Sequence, residues 1–143
     1  MRIGLLSCLA VGVYPVPVTA QTDPLVVARA FVQAMQAGDT AALRSRHTQD
    51  ALFIGGDVGI PLTGVESAFA QPKFKPCTIS SLFLRPEKVP ADVLGDQTPA
   101  SIRDGSGRKV EGTLSCPAET GGIRRTAVAF IFAGDQIAIF ALG

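Results

Sequence analysis

The chain offers few of the side chains that catalytic sites use most often. It contains no Trp, one Tyr (Tyr14) and one His (His47), beside eight Phe. Because Tyr14 lies in an N-terminal segment that we expect to be removed, no phenol or indole group would remain in the mature chain. A single His without clustered Cys also lacks the ligand spacing of a zinc site, so we expect neither a metal ion nor another cofactor.

An excess of charge of either sign is also missing. The chain has 13 Lys and Arg against 12 Asp and Glu, and Arg2 is the one charged residue among residues 1–20. Its removal leaves 12 of each sign and a formal charge of zero. A surface without net charge has no long-range electrostatic field to attract nucleic acid or an anionic membrane, so we predict neither as a partner. Four cations scattered over helix and strand ends are interpreted as solvated surface charges, with contact to an anionic ligand as the alternative: Arg44, Arg46, Arg124 and Arg125.

Residues 1–20 have the residue pattern of a secretion signal peptide. One cation precedes an apolar run that ends in Val18-Thr19-Ala20. Small residues at the −1 and −3 positions predict cleavage after Ala20, which leaves Gln21 as the new N-terminus.

Two other interpretations of this segment are less favoured. A membrane-spanning helix needs about 20 continuous apolar residues, and Pro15 and Pro17 interrupt the run. A lipid anchor through Cys8 would have too few apolar residues before it. We therefore expect a periplasmic or secreted protein of one domain, residues 21–143, without membrane attachment after signal removal.

Two cysteines remain after this removal, Cys77 and Cys116. In an oxidising compartment two cysteines most simply pair, so we expect a disulfide. Closing a loop of about 40 residues would stabilise the fold by roughly 4 kcal/mol on the chain-entropy model. The alternatives are two buried free thiols or a metal site.

The first half of the mature chain changes from helical to strand spacing. Thr22-Asp23-Pro24 predicts the start of a helix, which continues to about Ala37 and ends at Gly38. Asp39 predicts the cap of a second, shorter helix that ends near Arg46. The elements predicted next are a strand at 51–54, a loop at 55–59 and a helical turn at 65–71.

The second half has the pattern of antiparallel strands joined by short turns. Strands are predicted at 77–85, 109–116, 123–132 and 136–142, with a long loop at 86–108. In strand 123–132 both faces are apolar, so both should be covered. Helices can cover one face, and the other needs a partner or more of the chain.

This order of elements resembles the nuclear transport factor 2-like superfamily, whose relatives include ketosteroid isomerases and SnoaL-like polyketide cyclases. Phe31–Leu43 followed by Gln49–Phe53 is similar to the opening pattern of the family, and Ala133–Ile137 to its final hairpin. The resemblance covers residues 23–142. It implies an α+β fold of the cystatin-like type, in which a curved antiparallel sheet forms a cone over N-terminal helices. It also implies that the cone holds small, largely apolar molecules and that the convex sheet face forms a homodimer.

The resemblance also singles out a candidate base. Ketosteroid isomerases carry an Asp after the first strand, and Asp57 in Gly56-Asp57-Val58-Gly59 is the nearest match. The family supplies the oxyanion donors from a Tyr and a protonated acid on the sheet. The mature chain has no Tyr, and strands 123–132 and 136–142 have no acid. Asp57 is therefore interpreted as a turn residue, with catalysis as the alternative.

His47 and Asp50 form a second candidate, a His–Asp general base. The favoured interpretation is structural, because a cation near a helix C-terminus is stabilising. Taken together, the residues predict an exported domain that binds a small apolar molecule or a protein partner without catalysis. The alternatives are an isomerase, cyclase or lyase that transfers a proton through Asp57, His47 or Asp50, and a structural accessory subunit.

Overall fold

The computed structural model describes residues 22–143. The predicted signal, its cleavage after Ala20 and the alternative lipid site at Cys8 lie outside these residues. Three helices occur in the described chain: α1 (Pro24–Ala37), α2 (Thr40–Ser45) and α3 (Glu66–Phe69). The strands are β1 (His47–Gly55), β2 (Val58–Pro61), β3 (Thr78–Lys88), β4 (Arg108–Pro117), β5 (Ile123–Ala133) and β6 (Gln136–Leu142). Short 3₁₀ turns lie at Pro72–Phe74, Gly95–Gln97 and Ala100–Ile102.

The two N-terminal helices begin and end at the predicted residues. The carboxylate of Asp23 accepts a hydrogen bond from Leu25 N at 2.9 Å, and that of Asp39 accepts one from Ala42 N at 3.0 Å. Gly38 ends α1 with a left-handed φ of 67°, a conformation that glycine adopts without steric cost. Across the described part of the chain, each helix is too short or too polar to cross a membrane.

Six strands form one sheet in the order β2-β1-β6-β5-β4-β3. The α+β fold class is confirmed, with one difference: β1 and β6 pair in parallel, whereas the other neighbours are antiparallel. Short turns impose antiparallel directions on β4, β5 and β6. Between β1 and β6 lies most of the domain, so no turn fixes their relative direction.

Three segments differ from their predicted bounds. β1 begins at His47 rather than at 51, because its polar first residues are held by β6 through the pairing of His47 with Ile137. The predicted loop at 55–59 is a tight turn that leads into β2. Segment 86–108 includes the end of β3 and two 3₁₀ turns.

A β-bulge interrupts β3. Ser81 and Leu82 both lie opposite Gly112, since the flanking pairs are Ser80 with Thr113 and Phe83 with Glu111. Ser81 takes a positive φ of 56°, which is uncommon for a residue with a side chain. The extra residue changes the alternation, so that the side chains packed against the main core are Ile79, Leu82 and Leu84.

The inner face of the sheet, defined as the face under α1, carries the main core. Phe31 and Met35 of α1 pack against Phe130 of β5 and Phe140 of β6. Seven of the eight phenylalanines lie in or against this core: Phe31, Phe53, Phe69, Phe74, Phe130, Phe132 and Phe140. Burial of these rings removes a large apolar area from water and thereby stabilises the fold.

The opposite, outer face is covered in part by the chain itself. Val89 and Ile102, from the segment between β3 and β4, pack on Ile131 and Ile139 in a second small core. The second apolar face of β5 is thus covered at one end by more of the chain. Its other end carries Ala127 and Ala129.

Cys77 and Cys116 join the start of β3 to the end of β4. Their sulfur atoms lie 2.09 Å apart, which is disulfide bonding distance. Cys77 is buried, and its carbonyl accepts a hydrogen bond from the side-chain amide of Gln36. The disulfide therefore lies where α1 contacts the edge of the sheet.

Candidate binding site

The interior of the cone is filled by phenylalanine side chains. The ring of Phe140 lies 4.9 Å from that of Phe31, 5.2 Å from that of Phe130 and 5.3 Å from that of Phe69, measured between centroids. Phe31, Phe130 and Phe140 are fully buried. The region in which the resemblance implies a ligand is therefore occupied by the protein's own rings.

His47 follows the short helix α2 as the first residue of β1, and its side chain is buried. Its Nδ1 lies 2.7 Å from the carbonyl oxygen of Thr48, and its Nε2 lies 3.0 Å from Oε1 of Glu66. Both ring nitrogens therefore lie within hydrogen-bond distance of an oxygen atom of the protein. Both nitrogens are thus engaged by protein oxygens in the core, and the carboxylate partner of His47 is Glu66 rather than Asp50.

Glu66 is a buried acid that the sequence reasoning missed. It is 1% exposed and accepts hydrogen bonds from Arg44 Nε at 3.1 Å, from His47, and from Gly64 N at 2.8 Å. Burial alone would raise the pKa of Glu66, but the hydrogen bonds from Arg44, Gly64 and His47 outweigh it and lower the pKa to about 2. An ionised carboxylate so enclosed holds α2, α3 and β1 together. The sequence places Glu66 in the first turn of a predicted helix, but the spacing of helical residues does not show that this side chain is buried.

Asp50 lies on the exposed side of β1. It accepts hydrogen bonds from Thr48 Oγ1 at 2.7 Å and from the backbone N and Oγ of Ser101 at 3.2 and 3.1 Å. Partial burial raises the pKa of Asp50, but the bonds from Thr48 and Ser101 outweigh this effect and hold the pKa below its usual value. Asp50 thus fastens the turn at Ala100–Ile102 to β1.

Asp57 is exposed in the tight turn between β1 and β2, next to Gly56 with its φ of 62°. The three candidate bases are therefore not brought together: His47 begins β1 in the core, Asp50 is exposed, and Asp57 lies beyond the other end of the strand. Within residues 22–143 no group of three or more His, Cys, Asp or Glu side chains is placed to hold a metal ion.

An open cavity of about 460 Å³ lies on the outer face of the sheet. We call it the outer trough. Phe83, Glu111, Ala129, Ala141 and Ile54 form one row across five strands, as the pairing registers show. The small side chains of this row and of Ala127 leave a depression between Phe83 on β3 and Ile54 on β1. Its lining includes Ile54, Ser81, Phe83, Glu111, Thr113, Ala127, Ala129 and Ala141.

An ion cluster borders the outer trough near β3. Glu111 accepts hydrogen bonds from Arg85, at 2.7 Å from Nη2, and from Lys109, at 2.9 Å from Nζ. The hydrogen bonds from Lys109 and Arg85 hold the pKa of Glu111 below its usual value, despite partial burial. The guanidinium of Arg85 also lies 4.9 Å from the centre of the Phe83 ring, within the range of a cation–π contact.

Comparisons with known proteins bear on the fold. No protein-family model matches the chain, and no curated protein is similar to it in sequence. Among solved structures, an NTF2-like protein of unknown function from Cytophaga hutchinsonii ATCC 33406 has a TM-score of 0.55 at 10% identity, over 87% of this chain and 92% of that one.

Two further solved structures are similar to this chain over most of its length. A candidate ketosteroid isomerase from Shewanella frigidimarina NCIMB 400 has a TM-score of 0.56 at 13% identity, over 85% of this chain and 95% of that one. A candidate polyketide cyclase from Pseudomonas putida KT2440 has a TM-score of 0.53 at 15% identity, over 85% of this chain and 91% of that one.

These similarities define the chain first as an α+β protein whose curved open sheet encloses a core under N-terminal helices. More particularly, the chain has the nuclear transport factor 2-like fold. At these sequence identities the similarity establishes the fold and leaves the activity to be argued from the residues of this chain.

Proposed function

We propose that the mature chain is an exported, non-catalytic binding domain that takes a small, largely apolar molecule in the outer trough. The observation that carries this proposal is the contrast between the two faces of the sheet. The inner face is filled by buried phenylalanines, whereas the outer trough is open, about 460 Å³ in volume, and lined mainly by small and apolar side chains. Small-molecule sites in proteins have volumes of about 300–1,000 Å³ and a similar lining.

Proton transfer in a cone pocket, suggested by the names of the isomerase and cyclase neighbours, is the alternative. Such chemistry needs a base that faces an open cavity and donors for the developing oxyanion. His47 is buried and both of its ring nitrogens contact protein oxygens, and Asp50 accepts hydrogen bonds from Thr48 and Ser101. Asp57 is exposed at a turn. These placements support binding over catalysis.

Export is supported by the pattern of residues 1–20 and by the Cys77–Cys116 pair, which suits an oxidising compartment. The full chain should be expressed with its first twenty residues in a bacterial host, and the intact mass of the recovered protein measured. We expect a chain that begins at Gln21. A mass that includes a lipid on Cys8 would contradict cleavage after Ala20, and an uncleaved chain in the cytoplasm would contradict export.

The homodimer implied by the resemblance remains a proposal for the same outer face. Phe83 and Ile123 are 44% and 63% exposed, and strand alternation places Ile123 on the face of Ala127 and Ala129. A second copy there would cover the outer trough, so dimer formation and ligand binding would compete. Sedimentation at rising protein concentration, with and without ligand, should show a dimer that the ligand dissociates. A monomer at every concentration would contradict the dimer proposal and leave the binding proposal unaffected.

Binding itself is tested with N-phenyl-1-naphthylamine, a neutral apolar probe whose fluorescence rises in apolar surroundings. We expect saturable binding that Ala129→Phe abolishes, because the new ring fills the floor of the outer trough. Ala41→Phe makes the same change at an exposed position of α2 and should leave binding intact. Equal binding by both variants, each with a native-like melting curve, would overturn the proposal and favour the structural accessory role.

A further inference from the structure

The surface next to one end of the outer trough carries more positive than negative charge. A single carboxylate, Glu111, accepts hydrogen bonds from two cations, Arg85 and Lys109. Glu111 lines the outer trough, whereas the two cations line a smaller adjoining cavity of about 280 Å³. Glu111 also borders this cavity, together with Glu87 and Lys88, whose charges offset each other. One positive charge is therefore in excess at this end.

Arg85 and Lys109 remain accessible to a ligand despite their contacts with Glu111. Their side chains are 47% and 38% exposed. Arg85 places Nε and Nη2 on Oε2 of Glu111, and a guanidinium has five N–H donors. An anionic group can thus approach from the solvent side without displacing Glu111.

The excess charge lies next to the apolar lining. Phe83, the one phenylalanine outside the main core, forms the wall of the outer trough, and Arg85 lies over its ring. The floor beside this wall consists of Ala127, Ala129 and Ala141. A molecule that rests on the alanines with one edge against Phe83 therefore brings its end to the guanidinium.

We propose that the outer trough binds an amphipathic monoanion, an alkyl or aryl body that carries one carboxylate or sulfonate, with the anionic group on Arg85 and Lys109. The proposal rests on the binding function proposed above for the same trough. A cationic group would meet two cations there, and both oxygens of Glu111 are already occupied. A neutral ligand would gain the apolar contacts only.

Two probes with the same aromatic body separate the two parts of the proposal. The anion 8-anilinonaphthalene-1-sulfonate differs from neutral N-phenyl-1-naphthylamine by its sulfonate group. We expect the mature chain, disulfide intact, to bind the anion about fivefold more tightly at low salt, which corresponds to the upper range for an exposed ion pair. Added salt should reduce this difference in affinity between the two probes, because the charges of Arg85 and Lys109 are solvent-exposed.

Charge variants then locate the anionic group. Arg85→Gln should weaken binding of the sulfonate about fivefold and leave the neutral probe unchanged. Glu111→Gln should strengthen sulfonate binding, since it removes the negative charge from the same end. Arg29→Gln, which removes an exposed cation of α1 on the other side of the sheet, is the matched control and should change neither probe.

The outcomes are distinguishable. Loss of both probes in Ala129→Phe, with the charge effects above, supports both proposals. If Ala129→Phe removes both probes but Arg85→Gln and Glu111→Gln act like Arg29→Gln, the trough binds apolar molecules and the monoanion proposal is wrong. If Ala129→Phe leaves both probes bound, the binding function itself fails.

Discussion

Glu66 shows how one carboxylate can organise three elements of this fold. It accepts hydrogen bonds from Arg44 of α2, from His47 of β1 and from Gly64, just before α3. A buried ionised acid is stable only when such donors replace its hydration. The single histidine is thus a fixed structural partner, and this explains why a titratable group at position 47 need not indicate catalysis.

A pH-dependent stability follows from Glu66. The pKa of Glu66 falls from its ordinary value of 4.5 to about 2 on folding, so the unfolded chain binds a proton more readily than the folded one. The stabilisation, on the order of 3 kcal/mol, is therefore present above pH 4.5 and is lost as the pH falls towards 2. Urea unfolding at several pH values should show this loss.

The variant Glu66→Gln separates the contribution of Glu66 to the pH dependence of stability from the contributions of other acids. It should lower the free energy of unfolding by about 3 kcal/mol at pH 7, because Arg44 and His47 lose their charged partner. Its stability should then fall less than that of the unmodified chain between pH 5 and 2. Glu111→Gln, at a half-exposed ion pair, should cost at most about 1 kcal/mol. Equal losses in the two variants would contradict the structural role of Glu66.

Ser81 is strained by its positive φ of 56°. Glycine adopts this conformation without the clash between Cβ and the following carbonyl, which costs about 1–2 kcal/mol in other residues. Ser81→Gly should therefore raise the midpoint of chemical unfolding. The control Ser80→Gly, in regular strand geometry one residue earlier, should lower the midpoint, because it should reduce the free energy of unfolding by about 0.5–1 kcal/mol. Destabilisation by both changes would mean that the bulge is not formed as described.

At the scale of the elements, the bulge in β3 depends on the missing side chain of Gly112. A Cβ atom there would lie 2.8 Å from Cδ2 of Leu82 and 3.2 Å from the carbonyl oxygen of Ser80. Gly112→Ala should thus destabilise the protein by about 1–3 kcal/mol through overpacking. Gly107→Ala is the control, because its Cβ would meet its nearest neighbours at ordinary contact distances of 3.4 Å and beyond. Thermal melting followed by circular dichroism measures both.

Elements whose signals are local were predictable from the sequence. Asp23 and Asp39 cap the helices that they were predicted to cap, and Gly38 ends α1. The strands at 109–116, 123–132 and 136–142 were recognised because short turns separate them. Each of these signals involves residues within a few positions of one another.

Features that depend on distant contacts were not predictable in the same way. The first residues of β1 are polar and become a strand only through β6, and the bulge requires Gly112 opposite Ser81 and Leu82. The bond between Glu66 and His47 spans 19 positions of the chain. The outer trough likewise exists because the small residues of β5 and β6 align in register between Phe83 and Ile54, a relation that no single segment contains.

At the scale of the whole molecule, the disulfide closes a separation of 39 residues. Its loss should reduce the free energy of unfolding by about 2–4 kcal/mol, mainly through greater freedom of the unfolded chain. The double variant Cys77→Ala, Cys116→Ala should therefore melt at a lower temperature than the oxidised chain, with the same circular dichroism spectrum at low temperature. Reduction with dithiothreitol should have a comparable effect, and no change in melting would show that the bond does not form in solution.

The place of β6 in the sheet order has a consequence for how the protein is made. The last strand of the chain lies between β1 and β5, so the first hairpin and the β3–β5 group have no direct pairing with each other. A growing chain cannot complete the sheet until residues 136–142 have left the ribosome. On the export proposed above, such late completion would keep the precursor open enough to pass through a translocation channel. Truncation of these seven residues would separate the sheet into two parts.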